Sequence, residues 1–101
     1  MKNVEQVRRE TARWIALTAP YHGTGCPTSE RLIHSVLESV PLPATLVETR
    51  ALLHFLQQAG LATVTRRPDG ATVACITKEG TDVVEYNAVC PAGIARPEQY
   101  W

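Results

Sequence analysis

Arg66 and Arg67 stand directly before Pro68-Asp69-Gly70, which is turn chemistry set between two β-prone runs, Leu61 to Arg66 and Ala71 to Ile76. That spacing predicts a hairpin whose tip carries two guanidinium groups outward, and arginine's planar fork suits phosphate oxygens. The competing account is that charged tips keep a hairpin soluble and block edge pairing. Adjacent Asp69 subtracts from the local positive potential. A second set lies on the helix expected just before the hairpin. Thr45 stands at its exposed start, and Arg50, His54 and Gln58 share with Val47 and Ala51 the side opposite an apolar stripe. An arginine there suits a guanine edge, a glutamine or histidine suits a base or a phosphate, and small apolar groups suit a thymine methyl. The alternatives are an Arg50 paired with Glu48, a His54 that is simply solvated, and a face that docks protein. Thr45, Arg50, His54, Gln58, Arg66 and Arg67 are thus the candidate contacts to double-stranded DNA.

Other chemistries find little support. His22-x-x-x-Cys26, taken with His34, Cys75 or Cys90, lacks the paired close spacings of a structural zinc site. No Gly-x-Ser-x-Gly elbow, phosphate-cradling glycine loop or His-Glu-x-x-His helix occurs. Ser29, Ser35 and Ser39 fall in or at a helix, where capping and solvation explain them. The expectation is a chain that is not an enzyme, with no metal and no cofactor.

These residues need elements to position them. Val4, Val7, Thr11, Ile15 and Thr18 recur at steps of three or four with Trp14 beside them, which predicts a first helix with that buried face and with Arg8, Arg9 and Arg13 turned mostly to water. Pro20 and the run Tyr21 to Gly25 are expected to stop it. A second helix starts near Thr28 or Ser29, with Glu30 in the first turn suiting the positive end of the dipole, and buries Leu32, Ile33, Val36, Leu37 and Val40. Pro41-Leu42-Pro43-Ala44 is a tight connector. Thr45-Leu46-Val47-Glu48 matches a capping box, so a third helix begins at Thr45. Its buried face is Leu46, Thr49, Leu52, Leu53 and Leu56, and Gly60 sits where a left-handed residue often ends a helix. After the hairpin, Thr77 caps a short fourth helix in which Gly80 allows close approach to a neighbour. Cys75, within the second strand, reads as a small core residue. Asn87 onward reads as an extended tail.

Totals bound the picture. In 101 residues, 45 % hydrophobic, there is room for one small core. Ten basic and ten acidic side chains cancel, so affinity for nucleic acid or an anionic membrane must come from a local patch. No apolar run approaches the roughly 20 residues of a membrane span. Three widely spaced cysteines read as free thiols in a reducing compartment, so the cytoplasm is expected.

The order of elements, with Gly60-Leu61 before the hairpin and Thr77-Lys78-Glu79-Gly80 after it, resembles winged helix-turn-helix domains. That resemblance implies an α+β, mainly helical fold: a three-helix core, a two-stranded wing, a C-terminal helix over residues 1–88, and an extended tail over 89–101. A narrower likeness is to small proteins encoded by Mu-like transposable phages and prophages. It runs from about Arg8 to Pro97 through Arg8-Arg9, Ala19-Pro20, Gly60-Leu61, Thr77-x-x-Gly80 with Asp82-Val83, and Gly93-Ile94-Ala95-Arg96-Pro97. It implies a phage origin, hence a bacterial host cytoplasm, and a role as a transcriptional regulator. The alternative reading is a protein-interaction module on the same scaffold. A homodimer or a protein partner would then dock through the third helix or through the aromatic pair Tyr100-Trp101, which can equally fold back onto the domain.

Overall fold

The computed structural model describes residues 3–23, 27–42 and 44–99. Its elements run α1 (Val4–His22), β1 (Thr28–Ser29), α2 (Glu30–Ser39), α3 (Leu46–Gln58), β2 (Ala62–Arg66), β3 (Thr72–Ile76) and α4 (Lys78–Val84). Among the described residues the architecture is α+β, with four helices and one three-stranded antiparallel sheet. The strands lie in the order β1-β3-β2. The two-residue β1, absent from the sequence reading, pairs Thr28 with Ala74 and Ser29 with Val73. It makes β3 the central strand, and Val73 and Ala74 are both buried there.

Local chemistry sets each boundary. Asn3 caps α1 by accepting from Gln6 N, Ser29 caps α2 by accepting from Leu32 N, and Thr77 caps α4 by accepting from Gly80 N. Thr45 and Glu48 form the reciprocal capping box of α3. The hairpin turn closes through Arg67 N to Ala71 O and Gly70 N to Arg67 O, with Gly70 at φ 90°. Gly60-Leu61 and Thr77-x-x-Gly80 turn out to interlock. Thr77 Oγ1 donates to Gly60 O at 2.7 Å and Thr77 N donates to Leu61 O at 3.1 Å. A Cβ on Gly80 would collide with the same Leu61 carbonyl.

The core gathers Ala16 and Leu17 of α1, Ile33 and Leu37 of α2, and Leu53 and Leu56 of α3, with Leu61, Ala62, Ala74, Val83 and Ile94 closing it. Several expectations are corrected. Proline does not end α1: the helix continues through Pro20 to His22. Pro20 falls in the last turn, where one backbone bond is lost, its ring is fully buried, and Gly23 N caps the end on Ala19 O and Pro20 O. The buried face of α1 is also rotated from the expected one. Val4 and Val7 are exposed, and Glu10, Ala12, Ala16, Leu17 and Pro20 face inward. Short Ala12 and Ala16 let α1 approach its neighbours where larger side chains could not. Arg13, expected in water, is half-buried. Its guanidinium lies 3.8 Å from the Phe55 ring centroid, and Nη1 donates to Gly93 O at 3.0 Å. Leu32, Val40 and Leu46 are exposed rather than buried, and Cys75 is exposed rather than in the core.

Residues 89–99 carry no helix or strand, yet they return to the body of the fold. Ile94 is buried, Ala95 N donates to Glu10 O, and Arg96 Nη1 donates to the carbonyls of Val83 and Ala88. Arg96 also stacks on Tyr86, whose hydroxyl donates to Pro97 O at 2.6 Å. Tyr86 holds a left-handed backbone at φ 62°, a conformation that these contacts over-determine.

Candidate functional site

α3 presents Val47, Arg50, Ala51, His54 and Gln58 to the outside, and its inner face buries Thr49, Leu52, Leu53 and Leu56. The hairpin lies against its flank. Gln57 Oε1 accepts from Val64 N at 2.8 Å, which ties α3 to β2 by a side-chain bond. Between the two runs a groove of about 270 Å³ lined by Arg50, His54, Gln57, Val64, Arg66 and Thr72. The structure thus brings three of the six expected contacts, Arg50, His54 and Arg66, to one groove.

Arg50 is held there by a partner that spacing could not reveal. Its Nε donates to Glu30 Oε2 at 3.0 Å and its Nη2 to Glu30 Oε1 at 2.9 Å. The Glu30 side chain is 9 % exposed and that of Arg50 64 %. The hydrogen bonds from Arg50 hold the Glu30 carboxyl below its ordinary range against the opposing effect of burial. The charges of Arg50, Arg31 and Arg66 act in the same direction. Arg50 alone bonds this shielded carboxylate, while Arg31 at the start of α2 and Arg66 at the end of β2 act on it only through their charge. With its Nε and one Nη2 hydrogen on Glu30, Arg50 keeps its exposed Nη1–Nη2 edge for a second acceptor.

The other expected contacts lie outside the groove. Thr45 is exposed but committed to capping: its Oγ1 accepts from Glu48 N at 3.1 Å, and Glu48 Oε1 accepts from Thr45 N at 2.9 Å. Those contacts hold the Glu48 carboxyl below its usual value. Gln58 is exposed at the last turn of α3, and Arg67 is exposed at the hairpin turn. Asp69 Oδ1 accepts from Ala71 N, so its carboxylate serves the turn. Arg31 was missed by the sequence reading. Its only signal was its place next to Glu30 in the first turn of α2.

A second groove of about 200 Å³ lies on the other side of α3, where α1 supplies Arg8, Arg9 and Ala12 and α3 supplies Glu48, Ala51 and Leu52. Among the described residues no group of three or more His, Cys, Asp or Glu side chains could hold a metal ion. Among them, too, no helix is long and apolar enough to cross a membrane. The proposed contact through Tyr100 and Trp101, and the thiol of Cys26, lie outside the described residues. Compared with known families and with curated proteins, the chain matches no family model and no curated sequence.

Proposed function

We propose that this chain is a winged-helix protein that binds double-stranded DNA, with α3 entering the major groove and the β2–β3 hairpin serving as the wing against the backbone. The observation that carries this reading is the convergence of Arg50 of α3 and Arg66 of β2 on one groove beside the exposed face of α3, with the exposed Arg31 of α2 adding its charge at the Glu30 carboxylate that Arg50 grips. A chain of zero net charge has no global field to draw a polyanion, so a local arginine cluster is the feature a phosphate would find. Arg67 at the wing tip extends it. His54, Gln58, Val47 and Ala51 then face the base edges. The resemblance to Mu-like phage proteins fits a phage-encoded regulator that acts by occupancy: DNA covered by this domain is closed to other proteins.

Fluorescence anisotropy with random-sequence and phage-derived duplexes, titrated across a range of salt, tests the reading. Affinity should fall steeply as salt rises, and Arg66→Ala with Arg67→Ala should weaken binding and flatten that dependence by about 1.8 in log–log slope for two phosphates. Absence of binding at low salt overturns it.

Docking of a protein on the same scaffold is favoured by one observation, the exposure of Leu46 (45 %) and Val47 (78 %) at the start of α3. On that reading Val47→Asp abolishes capture of a stoichiometric partner, and the Arg66, Arg67 double variant does not.

A further inference from the structure

An α-helix with its side chains is about 10–12 Å across, close to the about 12 Å width of the B-DNA major groove. A helix lodged there has a sugar-phosphate strand on each side, so whatever the protein carries immediately beside that helix, on both flanks, meets phosphate. Arg50 and Arg66 border the groove on one flank of α3. The opposite flank is the groove where α1 faces α3.

Two exposed arginines of α1, Arg8 and Arg9, line that second groove together with Ala51 and Glu48 of α3. Ala12, Leu42, Ala44 and Leu52 supply its apolar lining, and Arg13 also borders it. Among the described residues neither Arg8 nor Arg9 forms a salt bridge. Burial, and after it the like charge of Arg9, hold Arg13 below the usual arginine value, with Glu10 acting the other way. Glu48, on the opposite wall, is the carboxylate that could oppose the charge of Arg8 and Arg9, and it is turned to the backbone N–H of Thr45. Glu5 also lines the groove and reduces the net charge without pairing with either arginine.

We infer that Arg8 and Arg9 form a second phosphate-binding rim, so that duplex DNA is gripped by its backbone on both flanks of α3. This rests on the DNA-binding reading above and extends it to residues of α1 that the helix-turn-helix unit and its wing do not include. The two rims would also limit rotation of α3 in the groove, since a tilt that shortens one set of contacts lengthens the other.

The test uses the full chain and a random-sequence 20-base-pair duplex, with affinity measured by anisotropy over a salt series. Arg8→Gln with Arg9→Gln should lower affinity at low salt and reduce the log–log salt slope by about 1.8, or about 0.9 for each single variant. Arg8→Lys with Arg9→Lys should keep most of the slope, and Lys78→Ala on α4 should keep all of it. Both arginines are exposed, and a circular-dichroism melt verifies that each variant is folded. If the glutamine variants keep the wild-type slope while Arg31→Ala with Arg66→Ala lowers it, the second rim is overturned and the DNA reading stands. If the wild-type chain binds no duplex, both are overturned together.

Discussion

Arg50 of α3 grips Glu30 of α2 through two parallel charge-assisted hydrogen bonds, joining the two helices that flank the 40–45 connector. The pair sits at the edge of the candidate interface, so its structural and functional effects oppose each other. Glu30→Gln keeps the shape of the side chain and removes its charge. It should lower stability by about 1 kcal/mol, roughly 4–8 °C in Tm, because the pair is shielded only at its Glu30 end. The same variant leaves the charges of Arg31, Arg50 and Arg66 uncompensated, so duplex DNA should bind more tightly, by severalfold at low salt. A thermal melt and an anisotropy titration on one preparation read both effects. Loss of affinity together with loss of stability would contradict the assignment.

Acid should destabilise the fold through the same carboxylates. The hydrogen bonds from Arg50 hold Glu30 below its ordinary value of 4.5, and the Thr45 contacts hold Glu48 below the same value. For a carboxyl whose folded pKa is depressed, the stabilisation is complete above the unfolded value and is lost as pH falls through the folded one. Tm should therefore be insensitive to these two groups above about pH 5.5 and should decline below 4.5. Glu30→Gln with Glu48→Gln should make that decline shallower. A double variant with the wild-type acid profile would show that neither carboxyl contributes.

Gly80 decides between two physical effects of opposite sign. Helix propensity alone favours alanine over glycine by about 1 kcal/mol inside a helix such as α4. The structure opposes this, because an added Cβ meets Leu61 O and lies 2.8 Å from Ile76 Cγ1. The carbonyl is backbone and is already bonded to Thr77 N, so it cannot yield cheaply. Gly80→Ala should therefore destabilise the fold by about 2–3 kcal/mol in urea unfolding. A neutral or stabilising result would mean that the α4–hairpin contact is looser than drawn.

The capping box at Thr45-Glu48 and the Pro68-Asp69-Gly70 turn could be read directly, because both depend on residues within three positions of each other. Long-range partnerships could not. Val4 and Val7 looked like core because they are apolar at helical spacing. Burial is set by what packs against α1, and the tail and α3 approach its Glu10–Ala12–Arg13 side. β1 is two residues long and exists only because β3 lies beside it. The same limit applies to the candidate site. Outward-facing residues of α3 followed from periodicity, whereas the Glu30 partner of Arg50, twenty residues earlier, and the contribution of Arg31 required coordinates.

Thr45→Ala separates the cap from any DNA contact. The Thr45 hydroxyl accepts from Glu48 N, so its removal should cost about 1 kcal/mol and fray the first turn of α3. Thr45→Ser restores the oxygen and should recover nearly all of that stability. Should DNA affinity fall in the alanine variant and return in the serine one, the first turn of α3 must be ordered for binding. If affinity is unchanged while Tm falls, Thr45 serves the fold alone.

Arg13 fastens the returning tail to the helical core. It stacks on Phe55 at 3.8 Å and donates to Gly93 O, and its buried Nε has no hydrogen-bond partner among the described residues. Burial and the charge of Arg9 hold its pKa below the usual arginine value, although Glu10 acts the other way. An isolated charged group in that position is costly unless the stacking and the Gly93 bond offset it, so the arginine acts here mainly as a flat, rigid bridge between Phe55 and the tail. Arg13→Met keeps much of the apolar contact with Phe55 and removes the donor to Gly93. It should leave the helices folded while amide exchange at Ala95, whose N–H bonds Glu10 O, accelerates by about tenfold or more, the equivalent of about 1.4 kcal/mol of lost local protection. Hydrogen exchange followed by mass spectrometry across residues 89–99 measures this. Unchanged protection there would assign the docking of the tail to Ile94 and Arg96 instead.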